Sequence, residues 1–234
     1  MSVKLCVFSL FAINFLMCTE ICTSDNRVTM PSEEILSQRL EQYGLNHFIA
    51  ETKLPASLAG KKKSPAQVAV AWVTRFDDYS QAVSNKQVKH IMQLLQPYIF
   101  EALLQDEPTA LQELARYKIY TPTKGAEDKK GDKVVIMPSK EILSQKLVKH
   151  DLKHFMEKTE LVTSLADKKL QPLGVAMLLE LALDGYSRSV ESMQVGVMMQ
   201  VSKSDIFEVL LQDAPTALQE LAVCGLYEGD KHKE

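Results

Sequence analysis

IFEALLQDEPTALQELA, residues 99–115, returns as IFEVLLQDAPTALQELA, residues 206–222. Each stretch reads as helix. IFEALLQ is a short amphipathic run, and Asp106 and Asp213 are placed to cap a following helix, with Pro108 and Pro215 in its first turn. Ala110, Leu111 and Leu114 supply the buried stripe of that helix. Read together, the two stretches reveal a larger repeat. Met30 to Tyr120 aligns without a gap with Met137 to Tyr227, at a constant offset of 107 residues, and about half of the 91 positions are identical. MPSEEILSQRL (30–40) becomes MPSKEILSQKL (137–147). A repeat fixes the unit that folds.

The rest of the unit also reads as helices. Ser32 and Ser139 follow a proline and suit an N-cap. Gly44 suits a helix C-terminus. Pro65 and Pro172 are placed to open the next helix, AQVAVAWVTRF in one copy and LGVAMLLELAL in the other. The second version is apolar nearly all round, which suits a helix in the middle of something: a core, a cavity wall or a covered face. Asp77 and Asp184 follow, with Tyr79 and Tyr186 two residues on, and the pair Asp77-Asp78, which is Asp184-Gly185 in the second copy, reads as a helix-terminal turn. A helix with Val88, Ile91, Met92 and Leu95 comes before IFEALLQ. Sustained alternation is missing, and Val134-Val135-Ile136 is a short β-prone patch. The expected fold class is all-α, with two tandem homologous domains of helix-bundle type.

The domain plan follows. Residues 1–24 read as a signal peptide, with Lys4 ahead of a 13-residue apolar run, Leu5 to Met17, too short to span a bilayer. Residues 25–120 and 137–227 are the two domains. Residues 121–136 are a polar, lysine-rich linker that lets the domains move unless they share an apolar interface. Residues 228–234 are a tail expected to be disordered. Stable membrane insertion is not expected. Cys6 and Cys18 leave with the leader, and Cys22 leaves too if cleavage follows Ser24. Cys224 then stands alone. It reads as a small apolar residue near a helix end, or as the site of an intermolecular disulfide.

Charge excludes one class of partner. The first copy carries ten basic and ten acidic residues, the second nine and twelve. No basic field exists to hold a polyphosphate backbone, so nucleic acid is not an expected partner. Catalysis has no visible apparatus. No serine sits in a G-x-S-x-G elbow, and no nucleophile accompanies the histidine shared by both copies, His47 and His154. Metal binding fails on counting: there is no HExxH and no cysteine pair. Only His150 and His154, four apart, could put two imidazoles on one helix face. No cofactor is expected, and the chain reads as a non-enzyme.

What remains is apolar surface. Met177, Leu178, Leu181, Met198 and Met199 form the candidate apolar binding surface of the second copy. The expected function is that of a secreted, extracellular binding or interaction protein whose two linked modules gain avidity for a protein partner. The alternative is an extracellular carrier of a small, lipid-like ligand held between helices. In plan, though not in motif, the chain is similar to the insect microvillar allergens, secreted duplicated helical repeats that enclose lipid. Where the copies disagree is the sharper clue. Trp72-Val73-Thr74-Arg75-Phe76 is replaced by Leu179-Glu180-Leu181-Ala182-Leu183. If the two domains do different jobs, that helix is the place to look.

Overall fold

The computed structural model describes residues 27–83, 85–122, 134–189 and 203–228. The leader, most of the linker, the C-terminal tail, Met193, Met198 and Met199 lie outside the described residues. The described chain is mostly helical, with twelve helices and little sheet. The N-terminal half holds α1 (Glu33–Glu41), α2 (Asn46–Thr52), α3 (Leu54–Leu58), α4 (Pro65–Ala82), α5 (Lys86–Leu103) and α6 (Pro108–Arg116). The C-terminal half holds α7 (Lys140–Lys149), α8 (Lys153–Lys158), α9 (Leu161–Leu165), α10 (Pro172–Ser189), α11 (Lys203–Leu210) and α12 (Pro215–Val223). Two antiparallel ribbons of two residues per strand pin the entry to each half. β1 (Val28–Thr29) pairs with β2 (Lys62–Lys63), and β3 (Val135–Ile136) with β4 (Lys169–Leu170). The β-prone patch at the end of the linker is thus paired chain.

Local chemistry explains where the helices begin. The Ser32 hydroxyl accepts from the Ile35 amide, and Ser139 accepts from Ile142. Ser64 opens α4 with a closed capping box. Its hydroxyl accepts from the Gln67 amide at 3.3 Å, and the Gln67 side chain accepts from the Ser64 amide at 3.0 Å. Asn85 caps α5 through the amides of Gln87 and Val88.

Three expectations need correction. Asp106 and Asp213 do not cap. The residues at the N-cap are Glu107 and Ala214, neither with a side-chain cap bond. The aspartates instead take ion pairs, Asp106 with Arg39 at 2.6 Å and Asp213 with Lys146 at 2.8 Å. Asp77-Asp78 is not a helix-terminal turn, because α4 runs on to Ala82. IFEALLQ is not a separate short helix. It closes α5, which continues through Pro97. Proline there lacks a donor, and the helix is held by its buried face, Val88, Ile91, Met92, Leu95, Ile99, Phe100 and Leu103.

Packing joins the halves. α1 packs on α5, α4 on α6, α7 on α11 and α10 on α12. α10 also packs on α5, across the seam. One hydrophobic cluster therefore runs through both halves. This accounts for the helix that lost its polar face: in α10 every residue from Pro172 to Glu180 is buried. Met177 and Leu178 are 1% and 8% exposed, so the chain itself covers them. Glu180, 0% exposed, is the exception in chemistry. The Lys203 ammonium approaches its carboxylate.

Candidate functional site

Three helices supply a cleft at the seam, and each does so by its own periodicity. On α2, His47 and Glu51 are four apart. On α4, Arg75, Asp78, Tyr79 and Ala82 fall at i, i+3, i+4 and i+7, one face of a helix. On α10, Leu181, Asp184, Gly185 and Arg188 repeat that spacing. The two stripes are one position out of step with the sequence alignment, so the helices do not meet as equivalents. The cleft encloses about 420 Å³.

A histidine–tyrosine bond lies at its wall. His47 Nδ1 and the Tyr79 hydroxyl are 2.9 Å apart, with the rings edge to face at 5.7 Å. Tyr79 is itself buried, its ring packed edge-on against Phe48 at 5.2 Å. Burial, helped by the charge of Glu51, pushes the Tyr79 phenol up to about 12. The phenol therefore stays protonated at physiological pH and can donate to Nδ1. The same bond recurs between His154 and Tyr186 at 2.7 Å, with Tyr186 edge-on to Phe155.

The charges in the cleft are of both signs. Glu51, Asp78 and Asp184 bring carboxylates, and Arg75 and Arg188 bring guanidiniums. Arg188 pairs with Asp184 one turn back on α10. The hydroxyl of Thr52 donates to the Phe48 carbonyl at 2.7 Å. The lining is suited to polar and electrostatic recognition. Of the three described residues of the apolar candidate surface, Met177, Leu178 and Leu181, the last opens into it. Met198 and Met199 lie outside the described residues.

Other candidates fall elsewhere. His150 and His154 do not share a helix face. His150 is the C-cap of α7, His154 is on α8, and Asp151 between them is left-handed at φ 59°. Among the described residues no group of three or more His, Cys, Asp or Glu could hold a metal ion, and no helix is long and apolar enough to cross a membrane. Cys224 is the C-cap of α12, partly covered, and burial and Glu220 push its thiol up. Tyr98 of α5 faces it from the other half, and that phenol is raised by burial and by the charges of Glu220, Cys224 and Glu101.

His47 and Tyr79 were visible in the sequence as polar residues common to both copies. Glu51, Arg75, Asp78 and Arg188 were not, because their counterparts are Lys158, Ala182, Gly185 and Gln81. The cleft is built largely from positions where the copies differ. Compared with protein families, curated proteins and solved structures, the chain matches none.

Proposed function

We propose that the chain is a secreted, non-enzymatic binding protein made of two duplicated helical domains, and that it takes a polar segment of an extracellular protein partner at the seam cleft. The observation that carries this reading is the cleft lining. Residues from both halves converge there with charges of both signs and a histidine held by a tyrosine. Such a surface matches a polar, mixed-charge partner, where orientation comes from paired charges rather than apolar area. The duplication is supported by the sequence repeat and by bonds that recur at matching positions. Arg39–Asp106 answers Lys146–Asp213, His47–Tyr79 answers His154–Tyr186, and Tyr120–Glu101 answers Tyr227–Glu208. Secretion rests on the leader alone.

The reading is tested with a photo-crosslinking side chain at Ala82, on the exposed rim of the cleft, and at Val223, 89% exposed and not part of its lining. Exposed to the fluid into which the protein is released, the Ala82 form is expected to give a discrete adduct that the Val223 form does not. Arg75→Ala should abolish that adduct. Equal labelling at both positions would count against the cleft. The carrier alternative is tested separately, by native against denaturing mass spectra. Bound lipid lost on denaturation would favour a lipid carrier over a protein-binding module.

A further inference from the structure

The halves meet through surfaces that are not equivalent. The N-terminal half offers the corner Gln42–Leu45 and helix α5, and the C-terminal half offers α10. The Gln171 amide, just before α10, donates to the Gln42 carbonyl at 2.8 Å. Gly174, one turn on, lies against the same corner. A Cβ there would stand 2.8 Å from Gln42 O and from Tyr43 C. A Cβ on Gly44 would stand 2.4 Å from Gly174 O. Farther along, the Asn85 side-chain amide donates to the Glu180 carbonyl at 3.5 Å.

Exchanging the roles of the halves removes the three features at the Gln42–Leu45 corner. The counterparts of Gln171 and Gly174 are Ser64 and Gln67. Those two satisfy each other in the capping box of α4, so the Ser64 amide is already spent. Gln67 also carries a side chain where Gly174 leaves room only for hydrogen. The counterpart of Gly44 is Asp151, which holds the same left-handed turn with a Cβ attached. In the C-terminal half the self-contained cap has been given up, and the amide it would have satisfied is satisfied across the seam.

We propose that the seam is a one-way docking interface keyed by Gly44 and Gly174. The N-terminal half accepts the C-terminal half of this chain, does not accept a second N-terminal half, and holds its partner without help from the covalent connection. The interface is heterologous, the kind that joins head to tail, and the side chains at Gln67 and Asp151 stop it from repeating. The cleft is whole only while the halves are docked, since α10 supplies Leu181, Asp184, Gly185 and Arg188.

The test uses the full chain with a protease site placed between residues 123 and 133, cut after folding. The halves are expected to co-elute as one species at micromolar concentration, with the Gln171 amide still protected from hydrogen exchange. Gly174→Ala is expected to weaken that association at least tenfold. Gly185→Ala, in the same helix but with nothing within 4 Å of its added Cβ, should leave it unchanged. Gly44→Asp copies the corner that the C-terminal half already tolerates. It therefore loosens the seam while the turn itself still forms, and it decides the matter if Gly174→Ala disturbs folding. Separation of the unmutated halves after cutting would overturn the proposal. So would a Gly44→Asp chain whose halves stay together as firmly as the parent's.

Discussion

Tyr79 joins two environments, a dry ring and a hydroxyl bound to an exposed imidazole, and its titration follows from that position. Its phenol is raised in the folded chain, so an unfolded chain releases the proton first as pH rises. Stability from this group is full below about pH 10 and is lost as pH climbs from 10 towards 12. The expected loss is about 2 kcal/mol. Melting temperature followed from pH 9 to 12 should fall less steeply in Tyr79→Phe than in the parent. Helix caps give a second contrast. Ser64→Ala removes half of a closed capping box and should cost about 1 kcal/mol. Gln171→Ala leaves its peptide amide bound to Gln42 and should cost much less, as urea midpoints will show. Ser32, Ser139, Pro65 and Pro172 were legible as helix starts because capping is local chemistry. Asp106 and Asp213 misled for the same reason. They satisfy every local rule for a cap, yet a distant Arg39 or Lys146 engages them, and no window of sequence contains that contact.

α10 shows how an element acquires its composition. A helix apolar on all sides was readable from LGVAMLLELAL, but which of three settings it filled was not. Contact with α5 answers that, and the contact lies between residues far apart in the chain. Glu180 in that helix stands where the first copy has Val73. Its partner Lys203 has a side chain 16% exposed, against 0% for the glutamate. Removing each partner should therefore have unequal effects. Lys203→Met strands a buried carboxylate and should cost about 3 kcal/mol. Glu180→Val frees a lysine that can reach water and should cost clearly less. Thermal denaturation of both variants at pH 7 measures the difference. Another change on α10 should stabilise. Gly185→Ala meets no neighbour and improves helix propensity, for a gain of about 0.5–1 kcal/mol. α5 was misread as two helices, a run with Val88, Ile91, Met92 and Leu95 followed by IFEALLQ, and Pro97 falls between the two. An apolar face on both sides of the proline holds the helix through it.

At the scale of the whole molecule, the linker composition suggested independent motion and the seam argues against it. A hydrophobic cluster shared by both halves should make them unfold together. Calorimetry is expected to show one transition in the parent chain, and two in Gly44→Asp as the seam loosens. The mostly helical character of the described residues was legible, since it depends on spacing that any short window displays. The cleft was not, because it is assembled from faces brought together only by docking. The same dependence bears on how the chain is made. The face of α5 that receives α10 leaves the ribosome early, and its cover is not complete until Ser189 has followed. At ordinary elongation rates that gap is on the order of ten seconds. For that interval the nascent chain carries an open apolar strip, and a message truncated between the halves would leave the strip open permanently.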